Sequence, residues 1–216
     1  MKRDFYFFRH GETDYNVEKR VQGWLDIPLN SNGIAQAYEL ANKLSNIKFD
    51  CIYSSPLSRA LKTAQIVCEK TPTKIILEDG LKERNLGTFT GKIVRMNDAS
   101  TDTPIDYSTD IVYVPLALLT SDDFVPGNGE SYNMLAKRVY DTMTKIATNT
   151  DAQTIGIATH GGFIKSLIKQ FTNFTYPRSG IPNAEFIKLQ WDGDKFTLNE
   201  PPIWLIAQNG LHTGRN

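Results

Sequence analysis

The sequence alternates short apolar runs with stretches in which apolar residues recur every three or four positions. Runs at residues 4–8, 51–54 and 154–159 are typical of strands, and a helical pattern lies downstream of each one. This alternation predicts an α/β domain with a largely parallel sheet. A length of 216 residues fits one such domain with a sizeable core.

Each of these three runs leads into a polar motif. His10 lies in an Arg-His-Gly sequence, Arg59 comes shortly after a Ser-Pro pair, and His160 precedes two glycines. In open α/β sheets, ligands bind at the edge formed by the carboxyl ends of the strands. We therefore expect the three motifs to share one pocket.

Further elements complete the predicted order. A third strand is expected at residues 75–77, and residues 185–190 and 195–198 are expected to form a closing hairpin. Four helices are predicted: one capped by Asn30 with Ile34, Ala37, Tyr38, Ala41 and Leu44 on its apolar face, one starting just after Arg59, one from near Glu130, and one across residues 164–171.

The residue types of these motifs suit the chemistry of a phosphoryl group. Guanidinium groups and helix N-terminal amides bind phosphate oxygens, for which Arg9 and Arg59 are candidates. A neutral imidazole such as His10 can attack phosphorus, and a carboxylic acid can protonate the leaving oxygen. The alternatives are a surface or capping role for His10 and a helix start at Arg59. A cation at a helix N-terminus opposes the helix dipole unless an anion lies nearby, which favours the phosphate role.

Composition limits the partners and the compartment. The 24 basic and 24 acidic residues balance, so the chain lacks the basic excess typical of nucleic-acid binding. The N-terminal sequence does not resemble a signal peptide, and the longest apolar stretch, near residues 111–119, is too short to cross a bilayer. Cys51 and Cys68 lack metal-like spacing. A disulfide is compatible with their number, but we favour two inert thiols in a reducing cytoplasm.

Several blocks together resemble the signature of the histidine phosphatase (phosphoglycerate mutase-like) superfamily. They are residues 8–13 with Asn16 and Gln22, residues 54–60 with Thr63, residues 81–87 with Gly91, residues 129–131, and residues 159–162. The resemblance implies a three-layer α/β/α sandwich with a mostly parallel sheet and a cap insertion after Gly91. Residues 1–216 would form a single domain, with residues 92–128 as the cap and residues 200–216 as a C-terminal tail.

The resemblance also implies a role for each matching residue. His10 would be the nucleophile that becomes phosphorylated, Glu83 the proton donor and later the base that activates water, and His160 a donor to the transferring group. The phosphate-binding residues would be Arg9, Arg59, Asn16, Gln22 and Gly161. The family uses no metal in catalysis, and we expect no cofactor in this protein. Glu12, Glu78 and Asp79 remain alternative carboxylates to Glu83, and Asn16 and Gln22 could instead hold the loop by hydrogen bonds.

The segment after Gly91 bears on the substrate. From Met96 through Ala136 the sequence contains no lysine or arginine, and it carries several aspartates. Phosphoglycerate mutases of this family place arginines after this block to bind a second anionic group, and a second anion here would meet like charge. We therefore expect a phosphatase acting on a monophosphate whose remainder is neutral, cationic or apolar. Residues 111–113 and 116–119 are candidates for an apolar part of the site.

Several interpretations stay open at this point. Many family phosphatases carry Trp-Glu-Gly where this chain has Phe89-Thr90-Gly91, so the surroundings of the acid differ. The alternatives to a small-molecule phosphatase are mutase-type phosphotransfer, a catalytically silent phospho-ligand binding protein, and a phosphatase of phosphorylated proteins, against which the long cap argues. The expected partner is a small phosphorylated metabolite. The apolar cap segment could cover the site, form a homodimer contact, or be a solvated loop.

Overall fold

The first strand, β1 (Arg3–Arg9), lies inside a six-stranded sheet, in a computed structural model that describes residues 2–172 and 181–208. The other strands are β2 (Cys51–Ser54), β3 (Ile75–Leu77), β4 (Ile93–Asn97), β5 (Ile111–Pro115), β6 (Thr154–Thr159), β7 (Phe186–Trp191) and β8 (Phe196–Thr197). The sheet order is β3-β2-β6-β1-β7-β8, and β4 pairs with β5 in a separate two-stranded sheet.

The main sheet is parallel except at one side. β6 pairs in parallel with both β1 and β2, and β2 pairs in parallel with β3, whereas β7 and β8 run antiparallel as the predicted closing hairpin. In this register Arg9 lies opposite Thr159, and Ser54 lies opposite Ala158. The carboxyl ends of β1, β2 and β6 therefore meet at one edge of the sheet.

Helices cover both faces of the sheet. The α-helices of the described residues are α1 (Asp14–Val17), α2 (Ser31–Lys43), α3 (Ser58–Lys70), α4 (Leu116–Leu119), α5 (Tyr132–Thr148), α6 (Gly161–Phe171) and α7 (Ile203–Gln208). Phe5 and Phe7 of β1 belong to a core formed with α5 and α6, while Tyr6 and Phe8 belong to a core formed with α2 and α3. Because successive side chains of a strand point to opposite faces, these two cores confirm the predicted three-layer α/β/α sandwich.

Two helix details differ from the sequence prediction. In α2, Ile34 and Tyr38 are 37% and 40% exposed, because the buried face is formed by the smaller Gly33, Ala37 and Ala41 together with leucines. In α3, the helix begins at Ser58, so Arg59 lies within its first turn rather than before it. A carboxylate oxygen of Asp26 accepts a hydrogen bond from the Ser58 amide at 2.7 Å, and the local sequence does not reveal this distant cap.

Residues 92–128 contain regular structure where sequence signals were weak. β4 and β5 pair in parallel, and a small separate core contains Phe89, Val112 and Val114.

In the tail, Leu205 of α7 is fully buried, and residues 209–216, which include His212, lie outside the described residues. In the described ranges, Cys51 and Cys68 are free thiols. No helix of residues 2–172 and 181–208 is long and apolar enough to span a membrane.

Two glycines bring the loop after β1 against the start of α2. A methyl group on Gly33 would lie 2.0 Å from the carbonyl oxygen of Glu12, and one on Gly11 would lie 2.2 Å from the carbonyl oxygen of Gly33. The Glu12 carboxylate accepts hydrogen bonds from the side chains of Asn30 and Asn32 at 3.1 and 3.0 Å. The loop that carries His10 is thus fixed to α2 through backbone contact.

This contact predicts that Gly33→Ala separates the loop from α2. We expect the free energy of unfolding to fall by roughly 1–3 kcal/mol, as in other overpacked sites. The phosphatase activity that we expect should fall roughly tenfold or more, because small displacements of a reacting group such as His10 are costly. Denaturant unfolding and steady-state kinetics measure both effects. The control is Glu39→Ala on the exposed side of α2, and an unchanged Gly33→Ala protein would contradict the constraint.

Candidate active site

The strand ends bring the predicted motifs together. His10 follows β1, Ser55 follows β2, and His160 follows β6 as the N-cap of α6. The two imidazole rings have centroids 5.2 Å apart. The sheet edge therefore holds two buried histidines side by side.

His10 has a defined tautomer. Its Nδ1 lies 2.7 Å from the carbonyl oxygen of Gly11, and since a carbonyl can only accept, Nδ1 carries the proton. Nε2 is then the nitrogen with a free lone pair. Burial lowers the pKa of His10 well below its usual 6.5, and the nearby charges of Arg9 and Arg59 lower it further. His10 is therefore a neutral imidazole at neutral pH.

His160 is fully buried and also neutral. Burial is the main cause of its lowered pKa, followed by the charge of Arg59 and by His10. Its Nε2 lies 2.8 Å from the hydroxyl oxygen of Ser55. Nδ1 has no hydrogen-bond partner within the described part of the protein. If Nε2 accepts from Ser55, the Nδ1–H group is available as a donor to a bound anion.

Arg59 is a fully buried cation. Two of its nitrogens donate to the carbonyl oxygens of Leu25 and Gly23, at 2.8 and 2.9 Å. Within residues 2–172 and 181–208, no carboxylate forms an ion pair with it, and its Nε has no hydrogen-bond partner. Burial lowers its pKa to about 10, so it stays charged at neutral pH. A buried charge without an ion-pair partner is costly, and a bound anion would offset that cost.

Glu83 lies against the start of α6. Its Oε2 accepts a hydrogen bond from the Gly162 amide at 3.0 Å, and its Oε1 accepts one from the Arg84 amide at 2.7 Å. A methyl group on Gly162 would lie 2.2 Å from Oε1, so this approach requires glycine. The carboxylate is thereby held at the N-terminus of the helix that His160 caps.

A cavity of about 220 Å³ opens at this edge of the sheet. It is lined by Arg9, His10, Asn16, Arg20, Val21, Gln22, Gly23, Arg59, Glu83, Arg84, Leu86, Tyr132 and Gly162. Of the four carboxylates considered from the sequence, only Glu83 is in this lining. Glu12 bonds Asn30 and Asn32, Glu78 pairs with Lys145, and Asp79 pairs with Lys82.

The other predicted phosphate-binding residues lie at or next to the cavity. Asn16 lines it, although its Oδ1 accepts hydrogen bonds from the amide and hydroxyl of Thr13, so it also holds the loop. Gln22 lines it with an Oε1 that lacks a hydrogen-bond partner among the described residues. Gly161 is not in the lining, where Gly162 appears instead. A methyl group on Gly161 would lie 3.5 Å from Nε of Arg9.

Three charged or aromatic residues at the cavity, Arg20, Arg84 and Tyr132, were not predicted as site residues from the sequence. The Arg84 guanidinium lies 3.9 Å from the ring centre of Tyr132 and donates to the carbonyl oxygens of Glu130 and Phe124. Arg20 donates to both carboxylate oxygens of Asp110 in the cap. Arg84 and Arg20 lie in or near the motif blocks, which was the available signal. Tyr132 had no such signal in the sequence, because its ring contacts Arg84, which is distant in the chain.

Arg138 of α5 positions the segment that carries Glu83. It donates to the carbonyl oxygens of Gly80, Lys82 and Glu83 at 2.9–3.0 Å and forms an ion pair with Glu130 at 2.7 Å. Burial alone would raise the pKa of Glu130, but its hydrogen bonds from Arg138 and the Asn85 amide lower it overall.

In the part of the chain that the structure describes, no group of three or more His, Cys, Asp or Glu side chains is arranged to hold a metal ion.

Known proteins resemble this chain over most of its length. It is 35% identical to phosphoglycerate mutase-like protein 4 of Arabidopsis thaliana, over 95% of this chain and 86% of that protein. It is 32% identical to a metal-independent phosphoserine phosphatase of the same plant, over 76% of this chain and 66% of that protein. A mycobacterial glucosyl-3-phosphoglycerate phosphatase has a similar structure, with a TM-score of 0.71, 28% identity, and coverage of 92% of this chain and 98% of that one.

The family model for the histidine phosphatase superfamily (branch 1) matches residues 5–201. This range contains all the motif blocks and every residue of the cavity described above. The chain therefore belongs to the histidine phosphatase superfamily.

Proposed function

We propose that this protein is a phosphatase that hydrolyses a small-molecule phosphate monoester through a phosphohistidine on His10, without a metal ion. The observation that carries the proposal is the neutral His10, with its Nδ1 proton bound to Gly11, beside the buried cation Arg59. The names of the two phosphatase relatives support hydrolysis of phosphorylated small molecules.

In the first step, Nε2 of His10 forms a bond to phosphorus and the bond to the ester oxygen breaks. Protonated Glu83 gives its proton to that oxygen, and the alcohol leaves. Arg9, Arg59 and the Nδ1–H of His160 face the charge on the phosphoryl oxygens. The proton on Nδ1 of His10 stays on the ring, and the Gly11 carbonyl stabilises the positive charge that the phosphorylated ring acquires.

In the second step, Glu83 takes a proton from water, and the resulting hydroxide attacks phosphorus. The bond to Nε2 breaks, inorganic phosphate leaves, and His10 returns to its neutral form with Glu83 protonated again. Two roles for one carboxylate require that it remain fixed through both steps. The amides of Gly162 and Arg84, together with Arg138 on the backbone of Glu83, provide that fixation.

The charges near the cavity favour a substrate without a second anionic group. Arg20 is neutralised by Asp110 and also by Glu18, at 2.6 Å. Two nitrogens of Arg84 already donate to backbone carbonyls. A bisphosphorylated or carboxylate-bearing ligand would need free cations here. This is why we place hydrolysis of a monophosphate ahead of the mutase-type transfer that the name of the Arabidopsis relative suggests.

We place the enzyme in the cytoplasm, where two free thiols are stable, and the buried Cys51 with its pKa raised by burial is inert. A homodimer would use apolar side chains of the cap strands. Met96 and Tyr113 are exposed there. Neither proposal affects the mechanism.

The mechanism predicts distinct effects at His10 and Glu83. His10→Ala should abolish turnover of p-nitrophenyl phosphate and of a phosphomonoester panel in excess EDTA. It should also abolish the acid-labile ³²P-phosphoenzyme seen after rapid quenching. Glu83→Gln should lower kcat by roughly a hundredfold or more. The matched control is Glu78→Gln, which alters a carboxylate outside the cavity. Activity that requires added metal, or full activity of His10→Ala, would contradict the proposal.

The burial of His10 predicts its titration. Its folded pKa lies well below the unfolded value near 6.5, so the folded ring stays neutral as the pH falls from 7.5 to 6.5. Proton uptake by the unfolded chain then lowers the free energy of unfolding below pH 6.5. ¹⁵N-histidine NMR should show an Nδ1–H tautomer for His10, assigned with His10→Ala. An imidazolium at His10 near pH 6.5 would rule out the neutral nucleophile.

The role of Asp110 predicts a change of substrate preference. Asp110→Asn should remove one of the two carboxylates that pair with Arg20 and raise kcat/KM for 3-phosphoglycerate over that for p-nitrophenyl phosphate, roughly two- to fivefold at low salt and less at high salt. Asp106→Asn is the control, because it removes an equal charge from a carboxylate that bonds Ser108 instead of Arg20. An equal effect of both variants would show that Arg20 is not the target.

A further inference from the structure

A second cavity of about 220 Å³ adjoins the active-site cavity. Val21, Arg84, Leu86 and Tyr132 line both. We call this second cavity the apolar chamber. Its remaining lining residues are Phe89, Val94, Leu119, Phe124 and Pro126, which come from the segment after Gly87 and from the cap.

Most of the surface of the chamber is apolar. Among the described residues that line it, Arg84 is the one that carries a charge, and its guanidinium lies over the Tyr132 ring while donating to Glu130 and Phe124 carbonyls. The rings of Phe89 and Phe124 have centroids 6.0 Å apart. Aromatic walls favour apolar and aromatic groups over charged ones.

The chamber adjoins the active-site cavity beside the proposed proton donor. Glu83, the proposed proton donor, lines the active-site cavity, and the next residue, Arg84, lines both cavities. A phosphoryl group between His10 and Arg59 would therefore direct its alcohol past Arg84 and Tyr132. The sequence expectation for this region is corrected in part: Leu119 lines the chamber, whereas Ile111 and Tyr113 line a different cavity on the cap.

We propose that the apolar chamber binds the alcohol part of the substrate, and that the substrate is a phosphomonoester of a compact, uncharged apolar alcohol. The size suits a single aromatic ring or a short branched alkyl chain, since an apolar cavity of about 150 Å³ can hold benzene. This inference rests on the proposed phosphatase function and assigns its substrate class.

The test compares esters with similar alkoxide leaving groups, so that chemistry does not favour one of them. The wild-type protein is assayed with 3-methylbutyl phosphate, glycerol 3-phosphate and 3-phosphoglycerate, with p-nitrophenyl phosphate as a general phosphatase substrate. We expect kcat/KM for 3-methylbutyl phosphate to exceed those for the other two alkyl esters by roughly tenfold or more. A preference for glycerol 3-phosphate or 3-phosphoglycerate overturns the inference.

Matched variants in α4 test the chamber itself. Leu119→Asn should lower kcat/KM for 3-methylbutyl phosphate roughly tenfold more than kcat/KM for glycerol 3-phosphate. The control is Leu116→Asn in the same helix, since Leu116 is 45% exposed and lines neither cavity. Leu119→Phe keeps the site apolar but reduces its volume, so it should shift the preference among linear alkyl phosphates toward shorter chains, even if the asparagine variant folds poorly.

The outcomes separate this inference from the proposed function. If p-nitrophenyl phosphate is hydrolysed with dependence on His10 but the alkyl preference is absent or insensitive to Leu119, the chamber inference is wrong and the phosphatase stands. If no ester is hydrolysed, the proposed function fails and the inference fails with it. A Leu119-dependent preference for the branched alkyl ester supports both.

Discussion

The active site depends on the parallel pairing of β6 with β1 and β2. This pairing ends three strands at one edge and places His10, Ser55 and His160 together, although they are separated by up to 150 residues in the chain. A slip of one residue in β1 would reverse the faces of its four consecutive aromatic side chains. Because both faces are buried in separate cores, the register is strongly specified.

Burial at this edge sets the electrostatic character of the site. The buried charge of Arg59 is stabilised by hydrogen bonds to carbonyl oxygens rather than by a carboxylate. This charge helps to keep the two histidines neutral. The same arrangement that keeps the His10 imidazole neutral also leaves positive charge for an anion. Burial of the Arg59 guanidinium therefore destabilises the folded protein and at the same time provides the positive charge of the proposed phosphate site.

The sheet and its motif residues could be predicted because their signals are local. Apolar runs located β2, β3 and β6 at their observed bounds, and the motif blocks identified His10, Arg59 and Glu83. The residues that could not be predicted act over long range. Arg138 bonds carbonyls more than fifty positions away, and Asp26 caps a helix from a separate loop. Neither leaves a pattern in its own neighbourhood.

The sequence reveals the charge composition of the cap but not the contacts that its charged residues form. The absence of lysine and arginine between residues 96 and 136 was visible in the sequence, but it did not reveal that Asp110 would contact Arg20 on the loop that lines the site. The contact has two consequences. It ties the cap strand β5 to the loop that lines the site, and it occupies a cation that a second anionic group would need. With Arg84 also engaged, we propose that the outer part of the site selects by apolar contact and volume rather than by charge.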